Sequence, residues 1–189
     1  MAGTIRLATA ADAQEIAAIY SPFVLETPVS FEQEPPDAKE MASRIDVVLA
    51  NHPWLVCEAD GIVAGYAYAS QHRIRYHYQW AADVTVYVHE RFRKKGIGTA
   101  LYTALLSVVP LQGYVSAYAG ITLPNSGSVR LHESMGFTPV GVYKGVGHKL
   151  GRWHDVGWWQ RKLQDLPDEP SQPISLKEAM ELSQWHEGV

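Results

Sequence analysis

Three features of the sequence predict an α/β (α+β) fold, a central, mostly antiparallel mixed sheet flanked by helices. Leu55 to Ala59 and Ile62 to Ala69 are apolar runs on either side of Asp60-Gly61, a strong two-residue hairpin signal, so the sheet grows by antiparallel pairing. Val84-Thr85-Val86-Tyr87-Val88 alternates β-branched and aromatic residues like a strand. It leads through a charged turn, His89 to Gly98, into a helix from Thr99 to Val109 whose apolar stripe is Ala100, Leu101, Ala104, Leu105 and Val108. A further strand, a helix and two more strands are predicted between Tyr114 and Leu163.

In chain order, Thr4 to Ala8 alternates like a short strand, and Thr9 or Asp12 caps a helix through Ile16, Ile19 and Tyr20. Pro22 predicts a kink or an early end near Tyr20, and Pro28 stops whatever follows. Val29-Ser30-Phe31 reads as loop, with Phe31 either a cleft wall or a core residue. Pro35-Pro36-Asp37 caps a second helix, Ala38 to Ala50, with Met41, Ile45, Val48 and Leu49 inward and Asn51-His52-Pro53 as its stop. Gln71 to Trp80 mixes cations with aromatics, as a nucleic-acid stacking platform, a pocket for an anionic small molecule, or a solvated loop or dimer rim does, and the net charge favours the pocket over the platform. His72 and His77 are not at a metal-binding spacing and have no thiol partner.

Tyr114 to Ala119 is the next strand. Leu123 to Ser128 is turn chemistry opening a helix that contains Val129, Leu131, His132 and Met135 and ends at Gly136. Phe137 to Val142 and His154 to Leu163 are the last strands, joined by a loop rich in Gly, Lys and His, with Trp158 and Trp159 on opposite faces.

A length of 189 residues with 47% apolar content suits one well-cored domain, taken as 1–166. Residues 167–189 form a Pro-rich tether and a short helical tail with Met180, Leu182 and Trp185 on its apolar side. A net charge of −4 argues against a nucleic-acid partner. No apolar run approaches the ~20 residues of a membrane span, and the first residues lack a signal-peptide core, so a cytoplasmic protein without a membrane partner is expected. The single cysteine, Cys57, lies in a predicted strand as a buried, inert thiol.

The chemistry concentrates in the charged turn. Gly96 and Gly98 let main-chain N–H groups approach a ligand at the start of a helix whose free donors and dipole favour negative charge. Arg91, Arg93, Lys94 and Lys95 add positive charge, so a phosphate or diphosphate is the natural guest. A dinucleotide fingerprint fails because Leu101 stands where its third glycine belongs, and the Lys-Ser/Thr of a P-loop is absent.

What remains, Arg-x-x-Gly-x-Gly at 93–98 straight after a strand, resembles the acyl-CoA-binding motif of the GCN5-related N-acetyltransferases (GNAT). A second motif, Asn125 opening a helix that closes in Glu133-Ser134-Met135-Gly136-Phe137, resembles that family too, with His132 where most members have tyrosine. Ser128 to Glu133, Leu101 to Leu106, Pro53 to Val56 and Gly151 to Gln160 are similar to the phosphinothricin N-acetyltransferases, which act on phosphinothricin, methionine sulfoximine or methionine sulfone. The resemblance implies acetyl-CoA as cosubstrate, no metal, and a homodimer. It assigns the carrier to Val86, Tyr87, Val88, Arg93, Lys94, Lys95, Gly96, Ile97, Gly98, Thr99, Asn125 and Ser128. It also places a catalytic carboxylate at Asp83, one methylene shorter than the family's usual glutamate.

Acetylating an amine requires its neutral form, while amines of pKa about 8 to 10 are mostly protonated at pH 7. A base must reach that proton directly or through one water, and Asp83 and His132 are the candidates; His132 could instead return a proton to the departing thiolate. Arg73 and Arg75 are candidate clamps for an anionic substrate group, Tyr78 an aromatic wall, and Lys149 and Trp153 late-loop residues that close the cleft. Two other readings stay open at this point: a GNAT enzyme for another amine (a protein N-terminus, a polyamine, another amino acid) and a silent acyl-CoA sensor.

Overall fold

The structure is a computed structural model that describes residues 3–183. Its elements are β1 (Thr4–Leu7), α1 (Ala13–Glu26), α2 (Ala38–Leu49), β2 (Trp54–Ala59), β3 (Ile62–Gln71), β4 (Ala81–Val88), α3 (Ile97–Val108), β5 (Ser116–Leu123), α4 (Ser126–Ser134), β6 (Thr138–Lys149), β7 (Arg152–Lys162) and α5 (Leu176–Ser183). The strands form one seven-stranded sheet in the order β1-β2-β3-β4-β5-β7-β6, antiparallel everywhere except between β4 and β5. The Asp60-Gly61 hairpin is present, with both residues in the left-handed region (φ 56° and 74°) that a type I′ turn requires.

The one parallel pair is short, and that shapes the site. β3 pairs with β4 from Gln71 opposite Ala82 to Gly65 opposite Val88. On its other edge β4 pairs with β5 only through Ala81–Ser116, Ala82–Ala117 and Asp83–Tyr118. β5 then continues to Leu123 alongside β7. The two strands therefore splay beyond Asp83 and Tyr118. Half of the main-chain groups of Val84 to Val88 have no strand partner there, and unpaired N–H and C=O groups must find water or a ligand.

Strand alternation divides the side chains between two cores. Ala82, Val84, Ala117, Ala119, Ile121 and Trp159 are buried with Leu101, Tyr102 and Leu105 of α3 on one face. Ile16, Val24, Met41 and Ile45 of the first two helices cover Trp54, Val56 and Tyr66 on the other. Asp83, Tyr87, Tyr118 and Trp158 belong to this second face. Trp158 and Trp159 thus diverge as the alternation predicts. The Trp158 indole lies over Gly120, where an added Cβ would stand 3.4 Å from it.

Two elements differ from the sequence-based expectation. α1 runs through Pro22 to Glu26 because Val24 is fully buried and Phe23 packs edge-on against Tyr87 at 4.9 Å, so tertiary packing outweighs the donor that proline lacks. Thr27 Oγ1 donates to Phe23 O at 2.8 Å, closing the helix just before Pro28. The Gly/Lys/His-rich loop is instead the end of a long hairpin: β6 and β7 extend to Leu150-Gly151, a left-handed pair (φ 50° and 75°). Two register shifts in β6 break the alternation that would have revealed it.

The tail forms the short helix expected of it and docks on the domain. The Pro-rich stretch lies against the domain, with Trp80 Nε1 donating to Ser171 O at 2.7 Å and Ile174 N to Gln112 O at 2.9 Å. α5 buries Leu176 and Ala179 while Leu182 is exposed; Trp185 lies outside the described residues.

Candidate active site

At the charged turn, Phe92 is buried and roots the loop, and Gly96 adopts φ 84°, which a residue with a Cβ enters only at a cost. The first helical bond of α3 runs from Ala100 N to Gly96 O at 2.9 Å. The N–H groups of Ile97, Gly98 and Thr99 therefore have no acceptor within the helix. Ile97 sends its side chain into the core, so only its main chain is available. Gly98 does different work from the ligand approach expected of it: a Cβ there would come 3.1 Å from Leu131 Cδ2, so its bareness lets α3 and α4 pack closely. Arg93, Lys94, Lys95 and Thr99 are exposed around this turn, Arg93 over the Phe23 ring at 5.2 Å and Lys95 over Phe92 at 5.2 Å.

Val86 and Val88 pack on the α3 side, whereas Tyr87 belongs to the opposite core, 5.0 Å from Tyr20. These three residues offer the carrier their main chain. Asn125 caps α4, its side-chain oxygen accepting from Ser128 N at 3.1 Å.

The structure does not bring the two candidate catalytic groups together. His132 is buried on the α3 side of the sheet, where Nδ1–H donates to Ser128 O at 2.8 Å and Nε2 meets Tyr102 Oη at 2.9 Å. Donation to a carbonyl fixes Nδ1 as the protonated nitrogen, so Nε2 accepts from the tyrosine hydroxyl. Burial lowers its pKa, with the Ser128 carbonyl partly offsetting this, and both nitrogens have partners within the protein. Asp83 lies on the other face, its Oδ1 2.6 Å from His72 Nδ1. Burial raises the Asp83 carboxyl, while His72 and Arg73 act the other way.

Around that pair is a small cleft. His72 stacks on Tyr118 with ring centres 4.4 Å apart and 18° between planes, and meets the edges of Trp158 at 5.9 Å and Tyr78 at 6.3 Å. The Arg73 guanidinium lies over Trp158 at 5.8 Å, and Tyr143 adds a further wall. Of the predicted substrate residues, Arg73 and Tyr78 reach this cleft. Arg75 is exposed, one residue before the short 3-10 turn Tyr76–Tyr78. Phe31 leans on the β6 backbone: a Cβ on Gly147 would penetrate its ring. That contact joins the loop after α1 to the long hairpin.

Lys149 and Trp153 have different surroundings from those expected. The Lys149 ammonium donates to the carbonyls of Val24, Ser30 (2.6 Å) and Glu32 (3.1 Å), so its three donors staple the hairpin to that loop. Trp153 is 68% exposed against His148, and alternation puts it on the face opposite His154 and Trp158. His72, Tyr118 and Tyr143 are the cleft residues that sequence reasoning missed. Tyr118 needed the parallel β4–β5 register to be placed, and His72 lies in the cation- and aromatic-rich stretch read as a pocket, but nothing local signals its pairing with Asp83.

A diphosphate carrier fits what is present: three free N–H groups at a helix start, exposed cations around them, and a strand edge with main-chain groups to spare. A wedge of this kind, with a carboxylate and an imidazole at its apex, defines an acyltransferase site.

Comparison with known proteins agrees. The acetyltransferase (GNAT) domain matches residues 5–158, and the chain belongs to that family. It is 41% identical to phosphinothricin N-acetyltransferase of Streptomyces viridochromogenes over 90% of this chain and 94% of that protein. It is 34% identical to L-methionine sulfoximine/L-methionine sulfone acetyltransferase of Salmonella typhimurium, over 86% of this chain and 95% of that one. The crystal structure of a phosphinothricin acetyltransferase from Sinorhizobium meliloti in complex with AcCoA superposes with a TM-score of 0.86 at 36% identity, covering 90% and 94% of the two chains.

Proposed function

We propose that this protein moves the acetyl group of acetyl-CoA to the α-amino group of a small amino-acid analogue of the phosphinothricin, methionine sulfoximine or methionine sulfone type, by direct attack in a ternary complex. The observation that carries the reading is the splay itself. Free main chain at Val84 to Val88 runs from the Asp83–His72 pair toward the anion-binding turn, so a carrier gripped at one end presents its acyl group at the other.

Acetyl-CoA, when bound, supplies an acetyl group activated as a thioester. The N–H groups of residues 97–99, with Arg93, Lys94 and Lys95, hold its phosphates; the β4 edge aligns its arm, and a β4 N–H polarises the carbonyl oxygen. Asn125 and Ser128 shape the α4 side of the wedge. Arg73 pairs with an anionic group of the substrate, and Phe31 and Tyr78 wall the cleft. The proton of the attacking ammonium is taken at the Asp83 end of the wedge, while His132 holds α4 against α3.

Relatives named for phosphinothricin and methionine sulfoximine support the substrate class. We further infer a homodimer formed through β6, an edge strand exposing Val140, Val142, Tyr143 and Val146. A cytoplasmic site of action fits the acetyl-CoA supply, and no described helix is long and apolar enough to cross a membrane.

The test is thiol release from acetyl-CoA with phosphinothricin, methionine sulfone, other free amino acids and an N-terminal peptide. Release with the first two, and little with the peptide, is expected. CoA binding without release for any amine would make the protein a sensor.

A further inference from the structure

We propose that His72 is the general base that takes the proton from the substrate ammonium, and that Asp83 is a positioning residue behind it. The inference rests on the acetyltransferase reading above and specifies the group that does its proton chemistry.

Four observations carry it. Asp83 Oδ1 is engaged by His72 Nδ1 at 2.6 Å, and a carboxylate there holds the proton on Nδ1, so the ring's lone pair is on Nε2. Among the described residues Nε2 has no hydrogen-bond partner. The ring plane is fixed by stacking on Tyr118 and by the edge of Trp158, so Nε2 has a defined aim. Finally, His72 lines the cleft with Arg73 and Trp158.

Placement agrees with this division of labour. Asp83–Tyr118 is the last paired step of β4 and β5, and His72 sits on Tyr118, so the imidazole stands where the strands part. The other titratable groups around the ring are Arg73, Tyr78, Tyr118 and, from β6, Tyr143.

The step balances as follows. One proton passes from the ammonium to Nε2 and on to water. The freed nitrogen lone pair forms the C–N bond to the acetyl carbon, the C–S bond breaks with its electron pair on sulfur, and the second nitrogen proton neutralises that thiolate.

The experiment compares the wild type with His72→Gln and Asp83→Asn in thiol release from pH 6 to 10, with acetyl-CoA binding and thermal midpoint as controls. His72→Gln should lower kcat roughly 10²–10⁴-fold at pH 7 with acetyl-CoA affinity unchanged. The deficit should shrink toward pH 10, where the amine arrives neutral. Asp83→Asn, whose amide donates to Nδ1 and moves the ring proton to Nε2, should lose turnover in the same pH-dependent way. Long-range proton–nitrogen NMR of the protein without cosubstrate, at pH 8, should show His72 protonated on Nδ1 in the wild type and on Nε2 in Asp83→Asn.

Wild-type turnover in His72→Gln, or a wild-type ring protonated on Nε2, overturns the assignment. So does a deficit confined to Asp83→Asn, which would make the carboxylate the base. A wild type that releases no thiol with any amine overturns the acetyltransferase reading itself.

Discussion

Two histidines on opposite faces of one sheet are held in opposite ways. His132 is enclosed between α3 and α4 with a carbonyl on one nitrogen and a tyrosine hydroxyl on the other. His132 thereby ties α4 to α3. His72 has a carboxylate on one nitrogen, an aromatic ring beneath it and a cleft in front. An imidazole with a single satisfied nitrogen at a cleft is equipped to move a proton. The second nitrogen decides, more than position within a motif.

Removing His132 should test that contrast with the largest effect on stability. His132→Ala deletes two buried hydrogen bonds, leaves the Tyr102 hydroxyl without its partner and opens a cavity, so unfolding in urea should show a loss of about 2–4 kcal/mol. Turnover at 20 °C, per folded molecule, should stay within roughly tenfold of wild type, below the effect expected of a general base. Intact stability with turnover down by orders of magnitude would return His132 to the chemistry.

Next in size is Lys149→Met, which strips the donor from the carbonyls of Val24 in α1 and of Ser30 and Glu32 in the loop after it. Stability should fall by about 1–3 kcal/mol. KM for the amine should rise more than KM for acetyl-CoA, because the hairpin that Lys149 anchors carries Tyr143 and Trp158 of the cleft. A selective rise in acetyl-CoA KM would contradict that placement.

Gly96→Val comes third. Nothing crowds a Cβ there, so the cost is the left-handed backbone alone, about 1–2 kcal/mol. Relaxing out of that conformation should displace the N–H groups of 97–99 and weaken acetyl-CoA binding in a calorimetric titration, while amine KM changes little.

The smallest effect is on the pH dependence of stability. His132 has a folded pKa lowered by burial, so the unfolded chain binds its proton more readily. Its contribution is fully present above the unfolded value of about 6.5 and is lost as pH falls below it. Denaturation midpoints should decline from pH 7 to pH 5, and His132→Phe should flatten that decline. An unchanged slope would remove His132 as its source.

Local chemistry made much of this fold legible before any coordinates. Asp60-Gly61 adopts the two left-handed residues its turn needs, and the strand, basic turn and helix of 81–108 are where alternation and helical period put them. Asn125 caps α4 as its position before Ser126 suggests.

What stayed hidden depends on register between distant segments. His72 and Asp83 are 11 residues apart and meet because antiparallel pairing sets Gln71 opposite Ala82, so the residue after β3 emerges beside Asp83. Trp153 lies on the face away from Trp158 because β7 extends back to Arg152 and simple alternation along it sets the two tryptophans on opposite sides. Lys149 resembles a substrate ligand until three carbonyls from another segment are seen to occupy it.

The most direct test of the whole account is a crystal structure of the protein with acetyl-CoA. The account predicts the diphosphate on the N–H groups of residues 97–99, the carrier arm hydrogen-bonded along Val84 to Val88, and the thioester next to His72. A carrier bound outside the β4–β5 wedge, or the wedge vacant at millimolar acetyl-CoA, would contradict it.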